Sequence, residues 1–112
     1  MYVIKEPKEH SFKKAGIKGK IFPIEKLTDK VEYFLVETNK GHTTTIIEHE
    51  CDFIYYILEG KGHFKINGKK EQCETSDLVA IPQGSKFTYK GKLKMIATST
   101  PPWREKQEET LK

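Results

Sequence analysis

Apolar and polar residues alternate with a period of two in short runs along this chain, and each run ends at glycine, asparagine, proline or lysine. Runs of this kind, rich in β-branched and aromatic residues and recurring every eight to twelve positions, are the pattern of a β-sandwich or barrel. Strands are predicted near Lys18–Ile24, Val31–Glu37, Thr43–His49, Phe53–Leu58, Gly62–Ile66, Glu71–Cys73, Leu78–Ile81, Phe87–Tyr89 and Leu93–Thr98. The pair Asn67-Gly68, set between two apolar runs, predicts a type I′ hairpin because both central residues of that turn need positive φ. Asn39–Gly41 and Gly60–Gly62 read as further turns, and Pro82-Gln83-Gly84 interrupts the strand pattern before Phe87. So many short antiparallel strands need closure or stacking to hide their edges. No long helix is predicted, although the charged tail after Pro101-Pro102, over 104–112, is compatible with a frayed turn or short helix anchored by Trp103 and Leu111.

A chain of 112 residues is long enough for one hydrophobic core and short for two, so a single domain over 1–112 is expected. The net charge of +4 comes from 19 lysines and one arginine, Arg104, spread from end to end. Phosphate and base recognition draws on arginine forks, so the lysines read as a solvated surface guarding sheet edges, with no nucleic-acid partner. No apolar run approaches the ~20 residues of a membrane span, and the first ten residues have no signal-type apolar stretch; no membrane partner and a cytoplasmic location are expected. Cys51 and Cys73 are too few for a disulfide framework and form no C-x-x-C pair; both are read as reduced, with Cys73 in the core.

Between Gly41 and Gly91 the chain resembles the two-part signature of the cupin superfamily. The first part runs Gly, five residues, His-x-His, three or four residues, Glu, six residues, Gly, and Gly41, His49 and Gly60 fall on it. The second runs Gly, five residues, Pro-x-Gly, two residues, His, three residues, Asn; Pro82 and Gly84 match, with Ser76 in the first glycine's place. Tyr56-Ile57-Leu58-Glu59-Gly60, Phe64-Lys65-Ile66-Asn67-Gly68, Asp77-Leu78-Val79-Ala80-Ile81-Pro82 and Thr100-Pro101-Pro102-Trp103 are similar to the family's text. The resemblance implies an all-β, cupin-type jelly-roll β-barrel.

It also implies where a metal would sit, and there the chain departs from the family. The four ligand positions hold Ile47, His49, Phe53 and Phe87, and three apolar side chains cannot donate a lone pair. His42, Glu48, Glu50, Asp52 or His63 would have to be recruited instead, but Glu48 and His49 alternate to opposite faces, and Glu50, Cys51 and Asp52 read as a solvated turn. No metal and no other cofactor are therefore expected. Cys51 between two carboxylates should have a raised pKa and low reactivity.

Alternation places Thr43, Thr45, Ile47 and His49 on one inward face, with Phe53, Tyr55 and Ile57 on the next strand and Phe87 and Tyr89 across from them. These residues make an aromatic cup with few polar groups, suited to a small polar molecule such as a carbohydrate or related metabolite, or else a barrel packed solid with side chains. His49 is either a core histidine or an acid/base group, with Tyr55 or Tyr89 polarising a carbonyl. His63 is expected on the opposite side of its strand, and His42 and His10 on the surface. Three functions stay open: a binding module without chemistry, a metal-free isomerase or epimerase using His49 and Tyr55, and a metal-dependent enzyme with recruited ligands. The resemblance further implies a homodimer, formed by a sheet edge or by exchange of the N-terminal strand Tyr2–Ile4.

Overall fold

Nine strands form the computed structural model, which describes residues 3–103 and 108–111. They are β1 (Phe12–Lys14), β2 (Ile17–Ile21), β3 (Glu32–Thr38), β4 (Thr45–Glu48), β5 (Asp52–Ile66), β6 (Lys69–Glu74), β7 (Leu78–Ile81), β8 (Lys86–Thr100) and β9 (Glu108–Leu111). Every pairing is antiparallel. The described residues contain no helix, and hence none long and apolar enough to cross a membrane.

Two fifteen-residue strands hold the barrel together. β5 and β8 pair along nearly their full length, from Asp52↔Thr100 to Ile66↔Phe87, with one irregularity between Ile57 and Glu59. Their outer halves belong to different sheets: Phe53–Tyr56 and Leu93–Ser99 join β7 and β3, whereas Lys61–Ile66 and Lys86–Phe87 join β6 and β4. The bend between the sheets falls where Gly62 faces Gly91. A Cβ on Gly62 would lie 2.0 Å from the Lys90 carbonyl oxygen, and Gly60 and Gly91 have φ of 102° and 120°. Glycine here turns a barrel corner inside a continuous strand. The turn expected at Gly60–Gly62 is therefore a bend, and the segments expected as four strands are two.

The Asn67-Gly68 hairpin has both φ angles positive, 50° and 85°, with Ile66 opposite Lys69. A second hairpin of the same kind, with Ala15 at φ 48° and Gly16 at 81°, joins β1 to β2 and was invisible in the pattern because alanine seldom takes that conformation. The tail corrects the helical expectation: Glu108–Leu111 adds to the edge of β4, Thr45 opposite Leu111, where ladder hydrogen bonds outweigh a weak local helix preference. Arg104–Gln107, Lys112 and Tyr2 lie outside the described residues, and Val3–Ile4 form no strand.

The space between the sheets is filled at one end. Ile57, Phe64, Leu93, Met95 and Cys73 pack there without meaningful exposure. At the other end it is open.

Candidate active site

The open end is a cavity of about 360 Å³, within the range of small-molecule sites. Its walls are Phe34 and Val36 from β3, Ile46 from β4, and Phe53 and Phe87 from β5 and β8. Two tyrosines and a histidine supply buried polar groups: Tyr55, Tyr89 and His42. Ser11 and Lys14, exposed, and Glu32 and Trp103, half-buried, also line it, with Phe12, Ile17 and Ile21 adding to its apolar wall. Lys14 Nζ stands 4.5 Å from the centre of the Trp103 ring. The Trp103 amide donates to Ser99 Oγ at 3.1 Å, which fixes the chain end of β8 beside the cavity.

The rings make one connected aromatic floor. Tyr55 and Tyr89 lie 5.7 Å apart, and each also touches Phe64, at 5.2 and 5.0 Å. His42 meets Tyr89 edge-on at 5.6 Å. Offset and edge contacts at these separations favour a fixed ring arrangement.

His42 is held on several sides. Its amide donates to the Tyr89 carbonyl at 2.9 Å, and its own carbonyl accepts from Thr88 Oγ1 and from Lys90 Nζ. The ring Nδ1 lies 3.2 Å from the Thr44 amide nitrogen and 3.1 Å from Thr44 Oγ1. Burial, with Lys14 and Lys90 adding to it, pushes the imidazole down to about 4. At neutral pH it is uncharged, the form that can take up a proton. Burial likewise raises the Glu32 carboxyl, with Glu25 as a second cause.

Of the residues expected to line a site, Phe53, Tyr55, Phe87 and Tyr89 line this cavity. Thr43, Thr45, Ile47 and His49 do not: Thr43 and His49 are exposed, and Thr45 and Ile47 are half-buried on the outer side of β4. The reason is the pairing of β4 with β8. Ile46 is opposite Phe87 and Ile47 opposite Lys86, so the even-numbered residues of β4 share the face of Phe87. His42 and Glu48, expected on the surface and away from the cup, are accordingly buried. The sequence carries a faint signal for this: Ile46 alternates with Glu48 as plausibly as Ile47 with His49, and only the strand partner breaks the tie.

Glu48 closes the turn into β5. Its Oε1 accepts from the Glu50 and Cys51 amides at 2.9 and 3.2 Å, while Oε2 is buried with no hydrogen-bond partner among the described residues. Cys51, expected in a solvated tip, is buried beside it and donates to the Pro101 carbonyl at 3.0 Å. Burial first, then the Glu48 charge, pushes its thiol up to about 12. His63 is half-buried outside the cavity, its pKa lowered by burial and by Lys70 and Lys90. His10 is half-buried against Glu37 at 3.3 Å.

The metal position of the cupin signature does not fit a metal in this chain. Phe53 and Phe87 fill it with hydrocarbon, Ile47 and His49 point outward, and no group of three His, Cys, Asp or Glu side chains among the described residues could hold an ion.

No protein-family model and no curated protein sequence matches the chain. Solved structures do match it. The H42Q form of Streptomyces PAC13 with uridine superposes at a TM-score of 0.90 and 21% identity, over 100% of this chain and 92% of that one. Pac13 is described as a nucleoside dehydratase, and its Y55F and Y89F forms also have structures with uridine. KdgF from Halomonas sp. matches at a TM-score of 0.71 and 18% identity, over 88% of this chain and 89% of that one. An RmlC-like cupin from Shewanella frigidimarina matches at 0.68 and 16%, over 88% and 86%. At these identities the likeness is one of fold. An antiparallel barrel built on the shared strands β5 and β8, with an open aromatic end, and these likenesses give the chain the cupin fold.

Proposed function

We propose that the cavity binds a nucleoside and removes water from it, with His42 moving the proton and Tyr55 and Tyr89 orienting the sugar oxygens. The observation that carries this reading is the meeting of His42, Tyr55 and Tyr89 on one cavity floor. They are the residue types, at the same numbers, that are substituted in the H42Q, Y55F and Y89F structures of Pac13 with uridine.

The chemistry needs little else. Dehydration takes a proton from carbon, forms a carbon–carbon double bond, breaks the neighbouring C–O bond and returns a proton to the departing hydroxyl as water. One imidazole can do both, since uptake and return cancel. With the ring proton on Nδ1, Thr44 Oγ1 accepts it and Nε2 offers its lone pair to the substrate; with the proton on Nε2, the Thr44 amide donates to Nδ1. The amide thus favours the ring proton on Nε2, and the hydroxyl alone supports the proton on Nδ1, the tautomer in which Nε2 is the base. A base whose pKa is near 4 abstracts weakly but, once protonated, is a strong acid toward a leaving hydroxyl. Phenol hydroxyls on an apolar floor supply directed donors where water is scarce.

The reading is tested by incubating the protein with uridine and with sugar-oxidised uridine derivatives, following melting temperature and loss of one water by mass spectrometry. The expected result is stabilisation by the nucleoside and water loss that His42→Gln abolishes. Absence of any stabilisation, or turnover untouched by His42→Gln, would contradict it. A binding module without chemistry is the second reading, favoured by the mostly hydrocarbon walls, which stabilise developing charge poorly; stabilisation without water loss for any derivative supports it.

A further inference from the structure

We propose that the outer face of the β3–β8–β5–β7 sheet is the contact between two copies of this chain. Two cross-strand rows build that face. Tyr33, Thr98, Ile54 and Ala80 stand side by side in one, and Leu35, Ile96, Tyr56 and Leu78 in the next. None of the eight is charged, in a chain where 32% of residues are.

The strands themselves are unusual for a half-solvated sheet. Phe53 through Leu58 is an unbroken apolar run, as is Leu78 through Ile81. An antiparallel strand with one wet face alternates apolar and polar; a continuous run belongs to a strand covered on both sides. Phe53, Tyr55, Ile57 and Ile81 are covered by the barrel interior. Their neighbours are not: Tyr33, Ile54, Tyr56 and Leu78 remain 42, 38, 40 and 63% exposed, four of the six large exposed apolar side chains among the described residues. Contacts of Glu6 with Lys20 and His10 with Glu37 tie the N-terminal segment across the outer side of β2 and β3, and Leu35 is buried.

Area and charge select a second copy as the cover. The exposed parts of these side chains come to roughly 500 Å², at the upper end of what monomers carry, and the surrounding polar rim brings the contact toward the ~800 Å² that each partner buries in a standard interface. Two copies, each at +4, meet with least repulsion through a face without charge. Asp52 lies at one end of the block and Lys94 at the other; a two-fold axis that runs the strands of the copies antiparallel sets each Asp52 toward the Lys94 of the other. The bulky Tyr33, Tyr56 and Leu78 alternate with the small Ala80 and Thr98, giving knobs and gaps for aligned packing of two sheets. This contact differs from the sheet-edge pairing or strand exchange that the family resemblance suggests.

The test is molar mass in solution by light scattering, from low-micromolar to sub-millimolar protein. Wild type is expected at twice the 13.0 kDa chain mass, Leu78→Glu and Ile54→Glu at half that mass with an unchanged melting profile, and Leu27→Glu, an exposed apolar site off the face, still dimeric. Should either glutamate disturb folding, Leu78→Ser and Tyr56→Ser carry the same comparison. A wild-type monomer throughout the range, or a dimer that survives substitutions on this face, would overturn the proposal, as would a larger assembly.

Discussion

Thr44 approaches the His42 ring with two groups at once, its amide nitrogen 3.2 Å and its hydroxyl oxygen 3.1 Å from Nδ1. The amide survives any side-chain substitution and the hydroxyl does not. In Thr44→Val the tautomer with its proton on Nδ1 loses its acceptor, so Nε2 is less often available as a base. Turnover of the nucleoside should fall roughly tenfold or more in kcat with little change in KM, and Thr44→Ser should restore it. A loss confined to KM would assign Thr44 to binding.

The pKa of His42, lowered from 6.5 to about 4 by burial, links acid to stability. The unfolded chain binds the proton first as pH falls through 6.5, and the folded chain follows only near 4. The neutral buried ring therefore contributes fully above 6.5 and costs up to about 3 kcal/mol by pH 4. Glu32, raised by burial, works in the opposite direction over its own range. Urea unfolding at pH 7.5, 5.5 and 4 should show this loss in wild type and a shallower one in His42→Gln. In turnover, the neutral form persists down to about pH 4, so kcat should stay level through pH 6 and fall only below 5.

Glu48 Oε1 is the acceptor for two amides at the start of β5. Glu48→Ala leaves the partly buried Glu50 amide and the buried Cys51 amide without their acceptor and should destabilise the fold by about 2 kcal/mol. Glu48→Gln keeps a carbonyl acceptor in place and should cost much less. Chemical denaturation of the two variants side by side measures the difference.

Cys51 and Cys73 are both buried, and burial raises both thiols. Neither should react with a thiol reagent such as DTNB in the native protein at pH 8, while denatured protein should titrate two thiols per chain. Rapid labelling of Cys51 would mean that the turn closed by Glu48 opens readily.

The strand pattern, the Asn67-Gly68 turn and the inward set Phe53, Tyr55, Phe87 and Tyr89 are legible in the sequence because period-two alternation and turn chemistry are local. β4 is not. His42, Thr44, Ile46 and Glu48 are about as polar as Thr43, Thr45, Ile47 and His49, and the face that turns inward is decided by Ile46 pairing with Phe87, forty-one positions away. The cupin spacing favoured His49, and a one-residue change of face puts His42 in the cavity lining and His49 outside it. Gly60, Gly62 and Gly91 misled in the same way, since a glycine that ends a strand and one that bends it around a barrel corner look alike until the partner strand is known. Lys14, Glu32 and Trp103 come to the cavity from three separate segments, and no pattern in the chain joins them.

An NMR titration of labelled protein with uridine tests directly whether a nucleoside occupies the cavity floored by His42, Tyr55 and Tyr89. Saturable shifts are expected at His42, Tyr55, Tyr89 and Trp103, with the far end of the barrel around Phe64 and Met95 little changed. No shifts, or shifts confined to the lysine-lined groove of Lys61, Lys92 and Lys94 on another side of the molecule, would contradict it.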